Sequence, residues 1–172
     1  MESEKLYFFT ATVLEWKPLL LRDSLKNIIT SSLEFLVTKK RIKLCGFVIM
    51  PNHFHLLWSI LESHRPENVQ RDFLKFTSQQ IIEQLKRNGE NQWIRKLEVN
   101  AIDRKYQIWE RNPLAVETYT EAVILQKLQY IHNNPTQQKW RLCVAPEDYV
   151  YSSARFYYFG DSKWPFLTHF RD

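Results

Sequence analysis

An α+β fold is predicted by three observations on this 172-residue sequence. Aromatic and β-branched runs with strand character open the chain and recur in its first half. Apolar residues at helical spacing fill the segments between and after them. Proline and Asn-Gly pairs stop these segments at lengths normal for a small domain.

Residues 6–16 (LYFFTATVLEW) read as the first strand, and residues 20–40 as a helix with Leu25, Ile28, Ile29, Ser32 and Leu36 along one side. Lys39, Lys40 and Arg41 crowd its C-terminus, where cations favour the helix dipole. Residues 42–50 (IKLCGFVIM) form a second strand, stopped by Pro51-Asn52, and residues 53–60 (HFHLLWSI) a third. The link is so short that these two must run antiparallel. A second helix is expected over 67–87, with Pro66 near its start and Asn88-Gly89 at its end. Residues 93–103 allow a short hairpin arm, and 105–110 (KYQIWE) read as the fourth strand. A third helix spans about 116–133 and must end before Pro135; a short one covers 154–159. The order β-α-β-β-α-β is the ferredoxin-like arrangement: an antiparallel four-stranded sheet with both crossover helices on one face, here with an added C-terminal helix. One domain over 1–172 is expected, with 136–172 as a tail.

Composition excludes several function classes. The three glycines cannot form a phosphate-binding loop, so no nucleotide cofactor is expected. Cys45 and Cys143 form neither a C-x-x-C pair nor a disulfide framework, and Cys45 lies in an apolar run as a buried thiol. A charged start at residues 1–5 argues against a signal peptide, and no apolar run reaches the ~20 residues of a membrane span. A cytoplasmic protein is the expectation. The formal charge of +5 and pI of about 9.2 suit a polyanionic partner.

Two segments carry chemistry. In HFHLLWSI, alternation puts Phe54, Leu56, Trp58 and Ile60 on one face and His53 and His55 together on the other. If the two crossover helices claim the apolar side, both imidazoles project from an open face, ready to share a metal. The alternative is a pair of surface histidines, and the spacing alone does not decide. His64 and His169 have no spacing argument as a third ligand. In the third helix, Ile124, Leu128 and Ile131 form the apolar stripe, and Tyr130 points roughly 140° from it. Tyr130 shares a face with Asn134, whose carboxamide oxygen is a hard ligand suited to Mg²⁺ or Mn²⁺. Packing for Tyr130 and capping for Asn134 are the plainer alternatives.

VIMPNHFHLLWSI (residues 48–60) and KLQYIHNNP (residues 127–135) together resemble the HUH single-tyrosine transposases, most closely the REP-associated tyrosine transposase branch. DFLKFTSQQI (72–81), YQIWERN (106–112) and PEDYVYSSARFYY (146–158) extend the resemblance in order from Tyr7 to about Tyr158. It implies a metal-binding pair at His53 and His55, a nucleophile at Tyr130 and a completing ligand at Asn134. PTQQKWRLC (135–143) departs from the more basic stretch usual in that group. The implied activity is a DNA strand transferase using Mg²⁺ or Mn²⁺, which cuts and rejoins single-stranded or hairpin DNA through a 5′-phosphotyrosine link. Arg71, Lys75, Arg104 and Lys105 are candidate DNA contacts. A module that holds a nucleic-acid hairpin without cutting it is the alternative, as is a phosphodiesterase using water in place of Tyr130. A monomer is favoured over a homodimer.

Overall fold

Residues 4–61, 63–161 and 163–172 are described by the structure, a computed structural model; residues 1–3 of the charged start lie outside them. Four strands, β1 (Leu6–Thr12), β2 (Ile42–Ile49), β3 (His53–Ile60) and β4 (Leu114–Glu117), form one antiparallel sheet in the order β2-β3-β1-β4. The α-helices among the described residues are α1 (Asp23–Thr38), α2 (Pro66–Arg87), α3 (Asn91–Leu97), α4 (Glu121–Asn133) and α5 (Ala154–Phe159). This is the expected ferredoxin-like arrangement with a further helix after the last strand.

Alternation along β3 decides how the layers stack. Phe54, Leu56 and Trp58 enter the larger core with Leu25, Ile29 and Leu33 of α1 and Val69, Phe73, Ile81 and Leu85 of α2. Burying side chains of this size contributes about 1.5–3 kcal/mol each, which makes this layer the main source of stability. Pro66 occupies the first turn of α2, where its missing N–H costs nothing. On the opposite face Phe8, Cys45, Val48, Met50 and Leu57 form a smaller core with Leu128 and Ile131 of α4. Burial pushes the Cys45 thiol up to about 12, an inert side chain in an apolar layer.

The fourth strand and the helix after it differ from the sequence expectation. Residues 105–110 contribute only isolated bridges, Glu98 to Tyr106 and Val13 to Trp109, and β4 is instead the Leu-Ala-Val-Glu run. Ile108 and Trp109 are drawn into the core: Trp109 packs edge-on against Phe54, and its Nε1 donates to Thr77 Oγ1 at 3.1 Å. The arm lies later than 93–103, because Asn91–Leu97 form α3; it spans 97–107, with Gln107 N donating to Leu97 O and Val99 N to Lys105 O. Helix α4 starts at Glu121, later than 116, because Thr120 caps it by accepting from Val123 N at 3.2 Å.

The chain after α4 closes the free edge of β2. Ser152 bridges Val48, Ile49 N donates to Tyr151 O, Ser153 N donates to Phe47 O, and Thr168 N donates to Leu44 O. Tyr149 Oη and Tyr157 Oη donate to Ile49 O and Cys45 O. An unpaired edge is thereby covered by the chain's own backbone. No helix among the described residues is long and apolar enough to cross a membrane.

Candidate active site

His53 and His55 stand on the β3 face that carries the smaller core, and their rings lie 4.8 Å apart. The sequence places them on an open face; the structure buries them, leaving His53 7% and His55 4% exposed. The covering groups come from after the sheet: Tyr130 on α4 lies 5.2 Å from His55, and Trp140 lies 5.9 Å from His53. Burial, Lys139 and Lys127 all disfavour imidazolium here. His53 is pushed down to about 4, chiefly by desolvation and then by Lys139, with a smaller opposing effect of Asn134. His55 falls to about 3, chiefly by desolvation and then by His53 and Lys127. Both rings are neutral at physiological pH, the form that binds metal.

Neighbouring residues select the tautomer. His53 Nδ1 lies 2.7 Å from Asn52 Oδ1, an oxygen that can only accept, so the proton sits on Nδ1 and the Nε2 lone pair is free. His55 Nδ1 meets Thr10 Oγ1 at 2.7 Å across the β1–β3 register pair. Its Nε2 is buried with no hydrogen-bond partner. Asn134 is 2% exposed and its Oδ1 is likewise buried without a partner, although the carboxamide faces His53 closely enough to favour its protonation slightly. A capping role for this side chain is not what the geometry shows, since only its backbone N–H bonds back into the helix, to Ile131 O. Buried polar atoms left unpaired are costly and uncommon. Two neighbouring imidazoles and a buried carboxamide oxygen beside His53 are a donor set that suits a divalent cation with mixed N/O ligands. Among the described residues no cluster of three His, Cys, Asp or Glu side chains offers another metal site.

Tyr130 is 46% exposed and presents its ring edge to Phe8 and His55. Its position follows from how α4 is seated. Leu128 lies over Gly46, where a Cβ would come within 2.7 Å of Leu128 Cδ2, so any larger residue at 46 would force Leu128 or α4 to shift. His132, two residues beyond Tyr130, is buried, and its Nε2 meets Ser153 Oγ at 2.8 Å. That hydroxyl also accepts from Phe47 N at 3.0 Å, so one serine joins α4, β2 and the C-terminal segment. Pro135 does not displace Asn134: the residue stays in the αR region and a 3₁₀ turn carries the helix on, keeping Asn134 one turn after Tyr130.

No protein-family model matches the chain. No curated protein matches it either. Solved structures do match. A REP-associated tyrosine transposase bound to a REP hairpin superposes with a TM-score of 0.63 at 15% identity, covering 88% of this chain and 78% of that one. A "putative transposase" from Deinococcus radiodurans R1 superposes with a TM-score of 0.52 at 17% identity, covering 77% of this chain and 92% of that one. The chain shares the fold of these two structures.

Within this fold the four residues singled out by sequence as site chemistry, His53, His55, Tyr130 and Asn134, come together. The four cationic candidates do not join them. Arg71 and Lys75 lie on α2, against the other face of the sheet, and Arg71 pairs with Asp72. Arg104 and Lys105 line a shallow depression with α2 residues Ser78 and Glu83, and they face Asp103 and Glu98. Cations nearer the imidazoles are Lys127, whose Nζ lies 4.6 Å from the Phe8 ring centre, and Lys139. Lys127 was visible in sequence as one turn before Tyr130 on its face; Lys139 and Trp140 had no local signal. His64 and His169 stay outside the cluster, His169 lying tilted against Tyr157 and stacked on Phe170.

Proposed function

We propose that the chain is a metal-dependent DNA strand transferase that cleaves and rejoins single-stranded or hairpin DNA with Tyr130 as nucleophile. The observation that carries this reading is a half-exposed tyrosine ring set over His55, beside two buried ligand atoms, His55 Nε2 and Asn134 Oδ1, that lack partners. His53, His55 and Asn134 would hold Mg²⁺ or Mn²⁺. The ion, when bound, supplies Lewis-acid polarisation of a non-bridging phosphate oxygen. Tyr130 Oη forms a bond to the scissile phosphorus, the bond to the 3′ oxygen breaks, and a 5′-phosphotyrosine and a free 3′-hydroxyl result. A 3′-hydroxyl from another end reverses the step, so no nucleotide hydrolysis is required. Lys127 and Lys139 add positive potential where the phosphate backbone would lie. The likeness to a transposase solved with a REP hairpin supports hairpin DNA as the substrate.

The test is incubation with 5′-labelled and 3′-labelled hairpin oligonucleotides in Mn²⁺ or Mg²⁺, with Tyr130→Phe alongside. A denaturant-stable adduct on the 3′ fragment is expected, lost in Tyr130→Phe and in EDTA. Tight binding without an adduct would make the chain a binding module instead. Cleavage that survives Tyr130→Phe would assign attack to water.

A further inference from the structure

Of the six tryptophans, Trp16 alone is exposed, at 62%, and it belongs to neither core. It is nevertheless held firmly. Glu15 and Trp16 both occupy the left-handed region, with φ of 54° and 57°, a conformation that two consecutive L residues adopt only when their surroundings impose it. Three hydrogen bonds restrain the turn: Leu14 N donates to Ile108 O, Glu15 N to Glu110 Oε1, and Trp16 N to Val13 O. Asn52 completes them and links the turn to the site. Its Nδ2 donates to Trp16 O at 3.4 Å, while its Oδ1 accepts from His53 Nδ1. The indole lies 6.4 Å from the His53 ring, across from Trp140. Strain at this turn therefore serves to display one flat apolar ring to solvent, roughly a nucleotide's span from the candidate metal ligands.

We propose that Trp16 is a stacking platform for an unpaired nucleobase next to the phosphate held at the His53–His55 site. This rests on the DNA reading above and adds the subsite. An exposed indole takes any base by its π-face and reads sequence weakly. The shared carboxamide of Asn52 makes base capture and His53 orientation parts of one construction.

Binding in EDTA separates the subsite from the chemistry. Labelled oligothymidylate and an abasic strand of equal length are titrated by fluorescence anisotropy against the wild-type chain, Trp16→Ala and Trp16→Phe. Trp16→Ala should weaken oligothymidylate binding roughly ten-fold. It should leave the abasic strand unaffected, and Trp16→Phe should recover most of the loss. An unchanged affinity in Trp16→Ala, or an equal loss on both strands, would overturn the stacking role and leave the DNA reading standing. Failure of the wild-type chain to bind either strand would overturn both. Because Trp16 is exposed, thermal unfolding of Trp16→Ala should match the wild type.

Discussion

Replacing Gly46 with alanine tests how closely the tyrosine helix is seated on the sheet. The added methyl would lie 2.7 Å from Leu128 Cδ2, whereas Ser153 Oγ at 3.4 Å and Leu57 Cβ at 3.6 Å would tolerate it. Carbon atoms settle about 3.5–4 Å apart, so Leu128 must retreat by about 1 Å or α4 must lift. Leu128 is buried among Cys45, Val48, Leu57 and Ile131, and overpacking in such a place costs about 1–3 kcal/mol. Loss of glycine's chain freedom returns about 0.5–1 kcal/mol, leaving a net cost of about 1–2 kcal/mol. Leu128→Ala alone opens a cavity at about 2–5 kcal/mol. In the double variant the two defects occupy the same space, so Gly46→Ala should stabilise by about 0.5–1 kcal/mol once Leu128 is truncated. Urea midpoints at constant m-value give the coupling energy, expected at about 1–3 kcal/mol in the compensating direction. Additivity within about 0.5 kcal/mol would refute the close-approach argument. Adduct formation should fall in Gly46→Ala more than stability explains, because Tyr130 rides on the displaced helix.

Two further outcomes follow from the buried polar groups. His53, His55 and His132 are lowered from 6.5 to about 4, about 3 and about 4, in each case first by desolvation. The unfolded chain therefore binds more protons, so their stabilisation is complete above pH 6.5 and is lost as pH falls towards 4. Each costs about 1.4 kcal/mol per pH unit across that window, and urea midpoints should drop steeply there. A midpoint independent of pH between 6.5 and about 5 would show that the imidazoles are hydrated. Asn134→Ala should weaken Mn²⁺ binding, followed by calorimetry, by roughly ten-fold or more. Metal-free stability should move by only about 1 kcal/mol, since Oδ1 has no partner to lose; unchanged affinity would remove Asn134 from the ligand set.

The His-x-His alternation was legible because a strand's period is fixed by its backbone, and the Tyr130–Asn134 pairing because a helix repeats every 3.6 residues. Local rules also fixed Pro66 at the head of α2. What escaped was decided by partners distant in sequence. KYQIWE has the aromatic content of a strand, yet Trp109 and Ile108 are claimed by the α2 layer, and the ladder to β1 falls to Leu114–Glu117. That four-residue edge strand is largely exposed and offers no apolar alternation to read. The burial of the imidazoles was hidden for the same reason, because the groups that cover them, Tyr130 and Trp140, are more than seventy residues away. Asn52, which read as a turn former, proved to orient both His53 and Trp16.

The seam closed by Ser153 also sets an order of assembly. Phe47 and Ser153 are 106 positions apart, so their bond must offset the entropy of a long loop before any benefit returns. The β2–β3 hairpin bearing both imidazoles needs no such closure and can form while the chain is still being made. The contact between His132 of α4 and Ser153 forms only when the segment from Tyr149 to Thr168 is laid along β2. A nascent chain thus pairs His53 with His55 on the hairpin before Tyr130 has been brought over them.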